Sequence, residues 1–125
     1  TGVTVLVAED NEVNQLLVRK ILEGIGVIVE SAENGEVALD LAVASKYDVI
    51  LMDVQMPRMN GIEATRQLRD RGCETPIVAL TANNSESDMS TCIDAGMSDF
   101  LAKPFVQADL IGKIERWARA APAPH

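Results

Sequence analysis

The chain has 125 residues, a formal net charge of −8 at pH 7 and two cysteines. This length is typical of one domain, which buries roughly two-thirds of its unfolded surface and folds without disulfides or a structural metal. Nucleic-acid phosphates are bound by clustered Lys and Arg, so the acidic charge argues against a nucleic-acid-binding surface. We expect proteins or metal cations as partners.

The cysteines and the hydropathy pattern indicate a reducing, aqueous compartment. Cys73 and Cys92 form no metal-binding pattern, and we expect two free thiols. No apolar run approaches the ~20 residues of a membrane-spanning helix, so this domain is expected to be cytoplasmic without membrane contact, even if its parent protein is membrane-anchored elsewhere. The Ala/Pro-rich end predicts a domain over residues 1–119 and a tail or linker start over 120–125.

Apolar runs of strand length alternate with segments of helical period along the whole chain. This alternation is typical of βα units around a parallel sheet. The uninterrupted apolar run within the segment 48–52 predicts the middle strand, because both faces of a central parallel strand are buried. In chain order, the five predicted strands span 3–8, 27–31, 48–52, 77–80 and 99–102.

The five predicted helices follow these strands, and their apolar residues recur three and four positions apart. The third is predicted at 61–70 and the fourth at 86–95. The predicted apolar positions are Val13, Leu16, Leu17, Ile21 and Leu22 in the first helix, Val37, Leu41 and Ala44 in the second, Met89, Cys92 and Ile93 in the fourth, and Leu110, Ile114, Trp117 and Ala118 in the fifth.

Polar residues of different chemical kinds follow four of the predicted strands. Glu9 and Asp10 follow the first strand, Asp53 the third, Thr81 the fourth and Lys103 the fifth. The carboxyl ends of parallel strands meet at one edge of an open sheet, and ligands bind in the crevice outside that edge. We therefore expect these side chains to share one pocket.

This set of side chains predicts phosphoryl-transfer chemistry. Three carboxylates repel one another, so the site must hold a proton or bind a cation, and an all-oxygen cluster suits Mg²⁺. Lys103 and Thr81 are suited to bind an oxyanion beside the metal, and Asp53 is placed as a carboxylate nucleophile. Each residue alone has an ordinary explanation as a helix cap or a solvated side chain, but the combination favours the functional interpretation.

The sequence resembles the receiver domains of two-component response regulators, particularly those fused to hybrid histidine kinases. The resemblance covers essentially the whole chain and rests on the segments VLVAEDNEVNQ, MDVQMPRMNG, PIVALTAN and AGMSDFLAKPF. It implies a flavodoxin-like, doubly wound sheet of five parallel strands in the order 2-1-3-4-5, with five helices. It also implies a phosphoacceptor signalling domain that assists its own phosphorylation and dephosphorylation and is not an independent enzyme.

The resemblance also implies roles for the site residues. Asp53 accepts a phosphoryl group from the phosphohistidine of a histidine kinase or a histidine phosphotransfer protein, which can belong to the same chain or to another. Asp10, Asp53 and the backbone carbonyl of Gln55 coordinate Mg²⁺, and Glu9 contributes through a metal-bound water. Lys103 pairs with the phosphoryl oxygens.

Two further sets of residues are implied to carry the response and to bind the partner. Thr81 moves toward the phosphoryl group and Phe100, the switch aromatic, turns inward in response. Phe100 lacks the hydroxyl of the commoner tyrosine, and Asn60 stands where the family often has Asp; we expect a local loop effect from the latter. The predicted docking surface for a histidine-bearing helix consists of Asn14, Leu17, Pro104 and Phe105.

Three other interpretations compete with this one. An aspartyl-phosphate phosphatase typically has a second acid two residues after its nucleophile, where this chain has Gln55. A flavin carrier needs a glycine- and hydroxyl-rich phosphate loop after the first strand, where Glu9 and Asp10 would repel the phosphate. A receiver-like interaction module without chemistry is disfavoured because Asp53, Thr81 and Lys103 are all present.

Overall fold

The computed structural model describes residues 3–54, 59–81, 86–102 and 106–120, and strands alternate with helices throughout these ranges. No helix in them is long and apolar enough to cross a membrane. The elements are β1 (Thr4–Ala8), α1 (Glu12–Glu23), β2 (Ile28–Ala32), α2 (Gly35–Ala44), β3 (Val49–Asp53), α3 (Gly61–Asp70), β4 (Ile77–Thr81), α4 (Glu86–Ala95), β5 (Asp99–Ala102) and α5 (Gln107–Ala120).

The five strands form one parallel sheet in the order β2-β1-β3-β4-β5, which confirms the predicted flavodoxin-like topology. The strand order reverses between β1 and β3, since β2 lies outside β1 on one side and β4 follows β3 on the other. In register, Ala8 is opposite Met52. The loops after β1 and β3 therefore leave the sheet side by side at the point where such folds bind ligands.

Helices cover both faces of the sheet and create two cores. One core joins Val5, Val7, Val49 and Leu51 of the sheet to α1 and α5, and the other joins Leu6, Ala8, Ile50 and Met52 to α2, α3 and α4. All five residues of β3 are buried, and β3 is the third of the five strands in the sheet, which confirms its prediction as the central strand. The sheet edge that carries the site is therefore supported from both faces.

Three strands, β2, β3 and β4, end one residue later than predicted, and two of these ends carry candidate site residues. Asp53 is the last residue of β3 and Thr81 the last of β4, because the ladder continues: Asp53 is opposite Leu80, and Thr81 is opposite Ala102. The backbone N–H of Val54 also donates to the carbonyl of Leu80 at 3.1 Å. The two candidate site residues are thus held by the sheet itself.

In three helices the buried residues differ in part from the apolar stripe, and the inward position predicted for Ile93 is wrong. In α4, Cys92 is buried as predicted but its neighbour Ile93 is 48% exposed. In α1, the buried residues are Val18 and Leu22. In α2, Ala38 and Leu39 are buried, whereas Ala44, the last predicted apolar position, is exposed. Apolar periodicity predicts a helix but does not decide which of two adjacent stripes faces the sheet. The predicted apolar positions that are exposed are Val13, Leu16, Leu17, Ala44 and Ile93.

Other sequence expectations fall on the remaining parts of the chain. Cys73 and Cys92 form no disulfide, as expected. The side chains of Leu110 and Ile114 in α5 are buried, as predicted. Helix α5 continues through Ala120, while residues 121–125 of the predicted tail and the side chain of Met89 lie outside the described part of the structure.

Candidate metal centre at the carboxyl edge of the sheet

Three carboxylates from the ends of β1 and β3 form an acidic cluster. One carboxylate oxygen each from Glu9, Asp10 and Asp53 lies within 4.8 Å of the other two. Glu9 is fully buried and Asp53 is 4% exposed, whereas Asp10 is exposed at the mouth of the cluster. An all-oxygen set of this size, buried on one side and open on the other, fits a hard cation that keeps some of its waters. The structure thus brings together the three acids that the sequence predicted to meet.

Glu9 is held at both its backbone and its side chain. Its N–H donates to the carbonyl of Ala32 at 2.9 Å, which extends the β1–β2 ladder. The side-chain amide of Asn14 donates to Oε1 of Glu9 at 2.6 Å, and the side-chain amide of Gln15 donates to the Glu9 carbonyl oxygen. A buried carboxylate requires such donors, because burial removes the water that would otherwise solvate its charge.

The start of α1 is capped by Asn11. Its Oδ1 accepts from the N–H groups of Val13 at 2.9 Å and Asn14 at 3.1 Å, so two of the unpaired amides of the first turn are satisfied. The segment that leads from β1 into α1 is therefore fastened by three side-chain amides, and the position of Glu9 relative to the helix is well defined.

A glycine allows α3 to begin directly beside Asp53. A Cβ added at Gly61 would lie 2.2 Å from the carbonyl oxygen of Asp53 and 2.8 Å from Cγ of Met52. The N–H of Gly61 donates to the carbonyl of Val54 at 3.1 Å. Asn60 caps this helix by accepting from the N–H of Glu63 at 2.9 Å, which gives the departure from the family pattern a local structural role.

The candidate switch residues lie on one face of the sheet. Thr81 is 8% exposed at the end of β4. Ala79 is opposite Phe100, and Thr81 is opposite Ala102, so the side chains of Thr81 and Phe100 project to the same face as diagonal neighbours. Phe100 is partly buried against the core on that face.

The other predicted site residues lie on α1 or outside the described part of the chain. Leu17 is 43% exposed on α1, and Asn14 is half-buried against Glu9. Gln55, Lys103, Pro104 and Phe105 lie outside the described residues.

Sequence reasoning missed two structural contributions to the site. One is the contact of Asn14 and Gln15 with Glu9, whose signal was a pair of amides one helical turn into α1. The other is the close approach at Gly61, whose signal was a glycine directly after the cap residue of a predicted helix. Both depend on how a helix start packs against a strand end.

Fold and site together define a doubly wound α/β domain with a cluster of three carboxylates that suits a metal ion. The buried Asp53 is one of the three. The chain matches the model of the response regulator receiver domain over residues 5–115, and it belongs to that family. It is 44% identical over 112 residues to the two-component response regulator ORR41 of Oryza sativa subsp. japonica, covering 86% of this chain and 88% of that protein.

Solved structures agree with this assignment. The receiver domain of the sensor histidine kinase PA1611 from Pseudomonas aeruginosa, with a magnesium ion coordinated in its active-site cleft, is 40% identical with a TM-score of 0.88, covering 95% of this chain and 99% of that one. A chain from the co-crystal structure of Saccharomyces cerevisiae Ypd1, a histidine phosphotransfer protein, and the receiver domain of its downstream response regulator Ssk1 is 32% identical with a TM-score of 0.91, covering 98% and 93%.

Some relatives are much longer than this chain. It spans 51% of the response regulator MprA of Mycolicibacterium vanbaalenii and 12% of the probable histidine kinase 2 of Oryza sativa subsp. indica.

Proposed function

We propose that this receiver domain accepts a phosphoryl group on Asp53 in a Mg²⁺-dependent phosphorelay. The observation that carries the proposal is the position of Asp53: a nearly buried carboxylate at the end of the central strand, within 4.8 Å of two further carboxylates. Three carboxylates this close together repel one another, and a bound cation offsets that repulsion.

The transfer step is a displacement at phosphorus. A carboxylate oxygen of Asp53 attacks the phosphorus of a phosphohistidine, the P–N bond breaks, and its electron pair returns to the imidazole. Mg²⁺, when bound, supplies positive charge that offsets the carboxylates and the phosphoryl oxygens. Asp10 and Asp53, with the backbone carbonyl of Gln55, are the proposed direct ligands, and Glu9 contributes charge beside them. Lys103 is the proposed partner of the phosphoryl oxygens.

The donor is proposed to be a histidine kinase or a histidine phosphotransfer protein. The solved complex of Ypd1 with the Ssk1 receiver domain supports this class of partner. Leu17 is 43% exposed on the first helix, close to Asn14, which contacts the acidic cluster. An exposed apolar side chain beside a reaction centre fits a docking surface, to which Pro104 and Phe105 are proposed to contribute.

The response is proposed to pass through Thr81 and Phe100. Both side chains lie on the same face of the sheet, on neighbouring strands. A phosphoryl group on Asp53 offers the Thr81 hydroxyl a charge-assisted hydrogen bond, and movement of that hydroxyl changes the space next to Phe100. The domain thus acts as a switch that is set by a partner and carries no substrate turnover of its own.

Labelling with a small phosphodonor tests the assignment of Asp53. Wild-type protein incubated with acetyl phosphate and Mg²⁺ should gain the mass of one phosphoryl group, and it should gain none in EDTA. The control variant Asp53→Asn keeps the size of the side chain but replaces the nucleophilic oxygen by an amide. Stoichiometric labelling of that variant, or equal labelling of wild type with and without Mg²⁺, would contradict the proposal. Absence of labelling under all conditions would favour an interaction module without chemistry.

A further inference from the structure

We propose that Asn14 is a positioning residue of the metal site and not only a part of the docking surface. This inference rests on the proposed function, because it takes the acidic cluster as the Mg²⁺ site. The side-chain N–H of Asn14 donates to Oε1 of Glu9 at 2.6 Å, and Glu9 is fully buried. The amide therefore contacts the one carboxylate of the cluster that has no exposure to solvent.

The environment of Glu9 explains why such a donor is required. Its carboxylate lies within 4.8 Å of the carboxylates of Asp10 and Asp53 and is repelled by both. A charge-assisted hydrogen bond from Asn14 compensates part of this charge and fixes the rotamer that keeps Glu9 in the cluster. Residues that orient the side chains around a metal in this way typically contribute about tenfold or more to metal affinity.

The surrounding contacts keep the helix in place independently of this bond. Asn11 caps α1 through its own side chain, and the side-chain amide of Gln15 bonds to the Glu9 carbonyl oxygen. Removal of the Asn14 side chain therefore leaves the path of the chain unchanged. The effect of a substitution is confined to the Glu9 carboxylate.

Asn14 also connects two parts of the proposed function. Leu17 lies three positions further along α1 and is exposed, so the two residues are neighbours on the helix surface. A partner that packs on this part of the helix contacts the residue that orients Glu9. Because coupling between two binding sites is reciprocal, Mg²⁺ and the docked partner then affect each other's affinity.

Magnesium binding is the first test, and it does not involve phosphorylation. Asn14→Ala and Asn14→Leu remove the donor, and the second retains the branching of the side chain at Cγ. Titration calorimetry or amide NMR shifts should show a Mg²⁺ Kd raised about tenfold in both variants. The control is Leu16→Ala, since Leu16 is exposed on the same helix and belongs to neither proposed set; its Kd should equal that of wild type. Equal Kd values in wild type and both Asn14 variants would overturn the assignment, as would a wild type that does not bind Mg²⁺.

The second test separates positioning from docking and from general damage. Acetyl phosphate needs no docking surface, so a residue used only for docking would not affect labelling by it. We expect the Asn14 variants to need about tenfold more Mg²⁺ for half-maximal labelling and to approach the wild-type rate at saturating Mg²⁺. A rate lowered equally at every Mg²⁺ concentration would overturn the inference. If wild type binds Mg²⁺ but is never labelled, the phosphoacceptor function fails, whereas the Kd comparison still decides the role of Asn14.

Discussion

The indole N–H of Trp117 donates to Oδ2 of Asp99 at 2.8 Å and so links the last helix to the first residue of β5. The ammonium of Lys113 donates to the same oxygen at 2.9 Å, and the N–H of Phe100 donates to Oδ1 at 2.8 Å. Burial raises the pKa of Asp99, but the donors from Trp117, Lys113 and Phe100 together outweigh it and hold the pKa below its ordinary value. A charged carboxylate therefore ties α5 to the strand that carries Phe100.

Loss of the Asp99 carboxylate should destabilise the domain in a pH-dependent way. Because its folded-state pKa is depressed, its contribution is present above the unfolded pKa of about 4 and is lost as pH falls through the lower folded value. Asp99→Ala should lower the free energy of unfolding by about 2 kcal/mol at pH 7, and the difference from wild type should shrink below about pH 4. Urea unfolding at several pH values measures this. Asp94→Ala removes an exposed acid on α4 and serves as control; an Asp99→Ala difference that stays constant with pH would refute the assignment.

The single tyrosine of the chain should titrate at an unusually high pH. Its hydroxyl donates to Oε1 of Glu30 at 2.7 Å, and burial followed by the bond and charge of Glu30 raises the pKa of Tyr47 from 10.0 to about 12. The corresponding stability is complete below pH 10 and is lost as pH rises toward 12. Glu30→Gln should lower the pKa, since only burial then remains as the main cause. Phenolate absorbance against pH reports this residue alone, and Glu33→Gln, an exposed acid nearby, should leave it unchanged. Titration of folded wild type near pH 10 would disprove the effect.

Substitution of Gly61 should displace the backbone that positions Asp53. A Cβ there would lie 2.2 Å from the Asp53 carbonyl oxygen, so the end of β3 or the start of α3 must shift. We expect Gly61→Ala to cost about 2 kcal/mol of stability, from overpacking, and to slow phosphorylation of Asp53. The matched control is Gly112→Ala in α5, where a Cβ meets nothing within 4 Å. That change should stabilise the helix by about 0.5–1 kcal/mol. Thermal unfolding compares the two, and equal effects would contradict the packing argument.

Neutralising the proposed nucleophile should change how the domain responds to metal. Asp53→Asn removes one of three mutually repelling charges, so without Mg²⁺ the variant should be as stable as wild type or slightly more so. With Mg²⁺, wild type should gain stability by mass action and the variant should gain less, because one ligand is lost. Melting temperatures with and without Mg²⁺ test this. A larger Mg²⁺-induced gain in Asp53→Asn than in wild type would rule out Asp53 as a ligand.

Loss of the Thr81 hydroxyl should separate phosphorylation from the response. Thr81→Ala keeps the acidic cluster, so it should still accept a phosphoryl group, but Phe100 should no longer respond to it. Amide shifts of α4 and β5, and the shift of the indole N–H of Trp117, which bonds to the strand residue Asp99, can be compared with and without beryllofluoride. Shifts confined to the loops around Asp53 in wild type, or an equally full response in Thr81→Ala, would disprove this switching mechanism.

Much of this protein follows from local sequence patterns. Alternation of apolar runs with helical segments predicted all ten elements to within about a residue at the strand ends, because strand length and helical period are properties of short segments. The position of Asp53 and Thr81 at strand ends followed from where apolar runs stop. Parallel topology then required their side chains to meet at one edge, and the structure places Glu9, Asp10 and Asp53 together as expected.

Only tertiary packing decided which helix faces are buried and which residues hold the site. Ile93 and Cys92 are both apolar neighbours in α4, and only contact with the sheet determines that Cys92 is inside and Ile93 outside. Asn14 is an ordinary helix residue in the sequence; its bond to Glu9 exists because α1 begins directly above the end of β1. The approach of Gly61 to the Asp53 carbonyl likewise depends on how α3 meets the sheet. These contacts join residues through the relative placement of whole elements, and local propensity does not encode that placement.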